Sequence, residues 1–498
     1  MSTLWFGFPL PLRGLLSALL LCMALPLAAC SNRIGHAELT SDLHQGQLAR
    51  LVQEAEKKYT PGKDFQQSLT LARLYQLQGE WARSIHIFND AADILDEYEH
   101  RATHSVRDIS AQIGTFTLSR GAKGYFGAGY ERSLLHTFNG MNYLMLGNIQ
   151  GAAVEMRKME FRQERWLAES KAIVENMPRA AKQARISPED LPPSYSMRSL
   201  LASEAGRRLM STYQDAFSYT LSSIICSKAG DTQYAKVSAK RATALAPSAA
   251  DLLHETHAAK GKTSRKKGAG KGKAAKTKAA NARKNLKTDD SAQSPPPSRS
   301  GKQDVVFIVT TGLAPSMYIE RVRTRFPVIG YFVLDMPSFH PPMFRTAPPQ
   351  IFTEAGDLIA PQALLFTDAL AFRSLWDNLR YETAAAYIRA GLKAAAASGA
   401  YAAAYSSEEL RPYSGLVALA TTVITDFGTA WMDDGVRNWD TLPCNGFLAR
   451  TTLAPGETLT LTIDDMMSEI PMPAEGNTVF VWVSYVTPNQ LKVHYVTM

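Results

Sequence analysis

The chain has 498 residues, 45% of them hydrophobic and 20% charged, so it is long enough for two or three cored domains and wholesale disorder is excluded. Four cysteines, Cys22, Cys30, Cys226 and Cys444, are too few and too scattered for a disulfide framework or a zinc clip. The net charge of +8 is local: residues 258–303 hold fourteen Lys and Arg against two Asp, a surplus of +12, and the rest of the chain sums to −4. What looks like a nucleic-acid signature therefore belongs to one insert on a mildly acidic body.

The first thirty residues carry one charge, Arg13, followed by an apolar run from Gly14 to Leu25 that is too short to span a bilayer comfortably. Pro9, Pro11 and Pro26 argue against an uncleaved membrane helix, because each removes a backbone donor. The run ends in Pro26-Leu27-Ala28-Ala29-Cys30-Ser31, and Leu27-Ala28-Ala29-Cys30 resembles the bacterial lipoprotein signal-peptidase site. That resemblance implies a signal peptide over residues 1–29, a lipidated tether over 30–36, and acyl chains on the sulfur and freed amine of Cys30. Several chains together make a stable anchor where one would be marginal. Ser31 stands where inner-membrane lipoproteins often carry Asp, which implies an outer-membrane location with the mature chain facing the periplasm. Cys226 and Cys444 then remain, and two buried free thiols are expected rather than one disulfide.

Residues 37–250 have helical spacing. Leu71, Ala72, Tyr75, Gly79, Trp81, Ile85, Phe88 and Ala91 fall where a tetratricopeptide repeat (TPR) places its large and small packing residues. Two weaker copies follow, with Gly140, Tyr143, Gly147 and Ala152 in one and Gly230, Ala235, Ala242 and Pro247 in the other. The expectation is three dispersed helical hairpins, turned at Gly79, Gly147 and Gly230, whose aromatics are core residues. Functional value in such an array lies in a groove that holds a peptide or helix. Between the first two hairpins, residues 121–132 interleave glycines with aromatic and basic residues. Tyr125, Tyr130, Glu131 and Arg132 are the binding candidates there, for a phosphate or glycan at a helix start. No strand precedes them and the dinucleotide glycine spacing is absent, which favours a structural loop.

Residues 251–303 are expected to be a Lys-rich disordered linker, because 258–303 alternate Lys, Gly, Ala, Ser and Thr and carry three prolines at 295–297, a composition that cannot bury a core. As a flexible coil its ends average about 35 to 40 Å apart. Residues 304–498 then change to period two. Strands are expected at 305–309, 328–334, 458–463, 479–486 and 491–496, with a Pro455-Gly456 turn and a Pro488-Asn489 turn. Two helical stretches lie between them, one carrying Leu375, Leu379, Tyr387, Ala390 and Ala394 on one face and one at 416–424. The whole reads as an α+β multidomain chain: a TPR-like helical array, then a strand-rich α+β domain.

No catalytic signature is present. His100 and His104 have metal-ligand spacing on a helix, but Arg101 stands where zinc peptidases carry Glu. The adjacent carboxylates Asp433-Asp434 and Asp464-Asp465 diverge along the chain and fit turns. Neither cofactor nor metal is expected.

Taken in order, the lipobox, the stretch from Tyr130-Glu131-Arg132 to Gly147, the hairpin ending Ala244-Leu245-Ala246-Pro247, the strand 305–309 running into Thr311-Gly312-Leu313-Ala314-Pro315, and Arg437-Asn438-Trp439-Asp440-Thr441-Leu442-Pro443 resemble a family of bacterial outer-membrane TPR-type lipoproteins. The resemblance covers most of the mature chain apart from the Lys-rich insert. It implies architecture and location and carries over no catalytic residue. The expected function is a non-enzymatic, lipid-anchored scaffold that holds protein partners in the cell envelope. The alternatives are an envelope enzyme acting on peptidoglycan or glycan, and a polyanion tether working through residues 258–303.

Overall fold

The computed structural model describes residues 34–105, 125–175, 196, 215–253, 301–326, 330–340, 344, 346–408, 411, 414 and 437–498. Cys30, the Lys-rich insert up to residue 300, Asp433-Asp434 and the expected helix at 416–424 lie outside them.

The helical region opens with α1 (His36–His44) and α2 (Leu48–Lys58) and continues as three antiparallel hairpins in series. These are α3 (Phe65–Gln78) with α4 (Trp81–Ser105), α5 (Gly129–Met145) with α6 (Ile149–Glu175), and α7 (Ala216–Lys228) with α8 (Thr232–Leu245); the short α9 (Ala249–Leu253) follows. Each hairpin turns on the same chemistry. Gly79, Gly147 and Gly230 stand in the left-handed region, with φ of 86, 74 and 87°. The next residue's N–H reaches back to a carbonyl of the last turn, Glu80 to Tyr75, Asn148 to Tyr143 and Asp231 to Cys226, each at 2.9 Å. This is the six-to-one bond of a Schellman end, which a β-carbon at the glycine would strain. Asp64, Asp215 and Asp231 start helices by accepting backbone N–H groups of the first turn.

Helices α4 and α5 pack together, as do α6 and α7, so the hairpins stack in chain order. The inner helices α3, α5 and α7 are buried nearly all round: from Ala216 to Cys226 every residue of α7 is buried. Small hydroxyl residues make that tolerable because each finds a partner. Thr137 and Ser218 bond across α5 and α7 at 2.8 Å, and Ser223 donates to the Ala235 carbonyl at 2.9 Å. The outer helix α8 buries only Ala235, Ser238 and Ala242, one stripe facing inward.

What buries the inner helices is the strand-rich region. A five-stranded sheet runs in the order β11-β10-β1-β7-β6, built from β1 (Gln303–Thr311), β6 (Gln362–Phe366), β7 (Asn445–Leu453), β10 (Thr478–Tyr485) and β11 (Leu491–Thr497). Strands β1 and β10 are parallel and the other pairs antiparallel. Alternate residues along these strands enter different cores. Val306, Ile308, Leu448, Phe480 and Trp482 join the helices in one cluster. Val305, Phe307, Val309, Phe447 and Val481 meet an antiparallel four-stranded sheet on the other face. That second sheet has the order β5-β4-β8-β9, from β4 (Gln350–Phe352), β5 (Leu358–Ile359), β8 (Thr458–Ile463) and β9 (Met466–Pro471). The result is a layered α+β fold in which a helical region and a strand-rich region share one core. A hairpin of β2 (Met317–Phe326) and β3 (Gly330–Phe339) packs on α10 (Thr367–Ser406). Among the described residues no helix is long and apolar enough to cross a membrane.

Most expected strands form where the two-residue period placed them, and the Pro455-Gly456 turn has Gly456 at φ 76° as a type II turn requires. The strand expected at 328–334 instead starts at Gly330 and runs to Phe339. Its partner β2 is not among the expected strands, although Arg321, Arg323 and Arg325 alternate with Val322, Thr324 and Phe326 in the two-residue period of a strand. Strands β4, β5, β6, β7 and β9 were also missed. Cys226 and Cys444 are buried thiols with no disulfide between them, and burial pushes the Cys226 thiol up to about 11.

Candidate functional site

The residues singled out from sequence gather at a joint between the two regions. At the start of α5, Glu131 is buried, and its carboxylate accepts four hydrogen bonds. Oε2 takes the Tyr125 hydroxyl at 2.5 Å and the Ala128 N–H at 2.6 Å; Oε1 takes the Trp439 N–H at 2.7 Å and the Tyr130 hydroxyl at 3.1 Å. Burial raises its pKa while these donors oppose the rise. Arg132 donates to the carbonyls of Phe126 and Gly127, closing the same loop. Tyr130 is buried too, whereas Tyr125 and Arg132 are half-buried. Their polar atoms are spent inside the chain, so the loop is an internal joint with no open surface at Tyr130 or Glu131.

The segment it grips is Arg437-Asn438-Trp439-Asp440-Thr441-Leu442. Trp439 is fully buried and meets Phe88 and Phe138 edge to face, at 5.8 and 6.2 Å. Asn438 accepts the Met317 N–H at 2.8 Å and donates to the Pro315 carbonyl at 2.7 Å. Ala314 donates to the Leu442 carbonyl at 2.7 Å, and Asp440 meets His36 Nδ1 at 3.1 Å. Three motifs that lie far apart along the chain, at 130–132, 311–315 and 437–443, therefore converge on one point. Beside it the buried guanidinium of Arg73 lies over the rings of Phe138 and Trp482 and donates to the carbonyl of Thr441. Burial draws its pKa down to about 9, so it stays charged at neutral pH.

An open site lies elsewhere, on the outer side of the array. A groove of about 640 Å³ runs between α4 and α6, floored by α5. Its α4 wall presents Asn89, Ala92, Asp93 and Asp96, and its α6 wall presents Gly151, Val154, Glu155, Lys158, Phe161 and Arg162. Both walls follow the three- and four-residue spacing of one helical face. The helices α5 and α6 are drawn together by glycine: a β-carbon on Gly140 would stand 2.4 Å from Met156, and one on Gly151 would stand 2.6 Å from the Tyr143 ring. Phe161 is 59% exposed and Val154 is 44% exposed, two turns apart on the same wall.

Charges in the groove are partly paired. Lys158 bonds Glu155 at 2.8 Å, and Arg162 bonds Asp96 and the buried Glu99. His136, in the floor and 98% buried, meets Glu155 through Nδ1 at 2.8 Å. Burial keeps its pKa below the ordinary histidine value, and in the neutral ring that donates from Nδ1 to the Glu155 carboxylate, Nε2 is an acceptor. That Nε2 has no partner among the described residues, and neither has the buried Oδ1 of Asn139 one turn along α5. Asp93 has no partner among the described residues. No group of three or more metal-ligating side chains occurs among the described residues. Sequence reasoning missed the groove, although the spacing of Val154 and Phe161 on an otherwise charged helix was a usable signal.

Comparison of the chain with protein-family models, with curated proteins and with solved structures returns no match.

Proposed function

We propose that the protein is a lipid-anchored scaffold or adaptor of the bacterial cell envelope, tethered through acylated Cys30 at the outer membrane, whose TPR-like helical array holds a protein partner. The observation that carries this reading is the open outer groove, where Val154 and Phe161 stand exposed while every inner helix is covered by the chain's own sheet. Three hairpins with one turn chemistry, stacked in order, support the repeat-like description. The partner surface of this array is then the outer one, because the inner face is filled in cis.

The test has two arms. A photocrosslinking amino acid at Phe161, in cells, should give one dominant adduct that Val154→Asp abolishes; an unchanged adduct pattern would remove the groove from the proposal. Cys30→Ser should abolish incorporation of a fatty-acid analogue and release the protein from membranes. Undiminished labelling of that variant would sink the anchor.

A further inference from the structure

The chemistry of the groove also selects the class of partner, on the reading that the groove is where the partner docks. Three carboxylates, Asp93, Asp96 and Glu155, face two cations, Lys158 and Arg162, and both cations are engaged. Asp93 is left as an exposed carboxylate with no counter-charge among the described residues. In the floor, His136 holds a buried acceptor, Nε2, that has no donor among the described residues, and Asn139 Oδ1 one turn along α5 is buried without one too. Asn139 donates to Asn89 Oδ1 at 3.1 Å, which occupies the acceptor of that wall residue. Lone pairs and carboxylates that lack donors leave a negative potential in the cleft, which low-dielectric walls concentrate. On the opposite wall Val154 and Phe161 offer an apolar shelf two helical turns long. A ligand matched to both walls is rich in donors on one side and apolar on the other. An ammonium group has three donors and no acceptor.

We propose that the groove between α4 and α6 docks a basic amphipathic helix of a partner protein, with a Lys or Arg side chain at Asp93 and apolar side chains on Val154 and Phe161. An acidic segment would meet Asp93 and Asp96 unfavourably and would have to break the Lys158 and Arg162 pairs to gain a cation.

The probe is a short synthetic peptide with Leu along one helical face and Lys along the other, compared with a twin carrying Glu in place of Lys, by fluorescence anisotropy on the full chain. The Lys peptide should bind about tenfold or more tightly than the Glu twin. Asp93→Lys should abolish that preference, and Phe161→Ser should weaken the Lys peptide about tenfold. Asp93 and Phe161 are exposed, so both variants should keep the wild-type melting temperature. If the Glu twin binds equally well, or if Asp93→Lys leaves the preference intact, the basic assignment is overturned; binding that still depends on Phe161 would in that case leave the docking groove standing. If neither peptide binds, or binding ignores Phe161→Ser, the inference is overturned, and an unchanged crosslinking pattern from Phe161 in cells would show that the docking reading has failed with it.

Discussion

Gly79 shows how one backbone angle joins the two regions. At φ 86° it closes the first hairpin, and an added β-carbon would stand 3.1 Å from the His494 ring of β11. Trp81, two residues on, stacks on Trp482 at 5.4 Å and meets His494 edge-on at 4.8 Å. Gly79→Val should therefore add left-handed strain of about 1 to 2 kcal/mol and push β11 away from the helices. Thermal unfolding should show a clear drop in midpoint; wild-type stability would mean that the turn does not need glycine. Glu131 is the other sensitive residue. Glu131→Ala removes the acceptor for four donors and should cost roughly 3 kcal/mol or more, because buried donors without acceptors carry their full desolvation penalty. Glu131→Gln should cost less, as it keeps an acceptor oxygen. Denaturant unfolding of the two variants measures the order.

At the level of elements, two buried groups make the helical stack respond to pH. His136 in α5 has a lowered pKa, so the unfolded chain binds a proton that the native state resists. Its contribution is present above the unfolded value, near pH 6.5, and is lost as pH falls below it. Asp215, which caps α7, moves the other way: burial raises it to about 6. Its contribution is present below pH 3.8 and lost as pH rises through about 6. Asp215→Asn keeps an oxygen for the Ser218 N–H, and the Oδ2 that now accepts from Gln163 Nε2 at 3.0 Å becomes a donor; a turn of the Gln163 amide lets its Oε1, which has no partner among the described residues, accept that new N–H. The variant should unfold no more easily than wild type at pH 7, and its gain should shrink at pH 4, where the native aspartate is protonated. Destabilisation at pH 7 would show that the charge itself is required. The hairpins were legible at this scale, since Gly79, Gly147 and Gly230 mark turns by a local rule. Strands such as β7, with Gly446 and Arg450 inside it, were not. Gly446 is there because Phe217 of α7 would lie 3.1 Å from a β-carbon, a reason that exists only after packing.

The whole molecule is held by a core that crosses the chain. Lys228 and Arg450 both bond Asp304, at 2.8 Å, tying α7, β7 and β1 together. The Glu131 and Trp439 joint does the same from the other side. Protease cleavage within residues 258–303 should therefore leave two fragments that co-elute and unfold in one transition. Two separate transitions would show that the regions are independent domains. Serine in place of the lysines from Lys260 to Lys287 should leave that transition unmoved, while any retention on polyanions through this segment should be lost.

By itself, the sequence determined the features that rest on local rules: the helical region before a strand-rich one, the three glycine turns, the buried cysteines and the Asp464-Asp465 turn between β8 and β9. It also contained the motifs at 130–132, 311–315 and 437–443, but as separate marks. Only the tertiary structure decided that these meet around Glu131 and Trp439, because burial and hydrogen-bond partners are set by residues hundreds of positions apart. The same holds for the array's faces. Periodicity places an apolar stripe on a helix, yet it does not state that the inner stripe is covered by the chain's own sheet. That coverage leaves the groove at Asp93 and Phe161 as an open surface of the array among the described residues, a consequence of which faces the packing had already used.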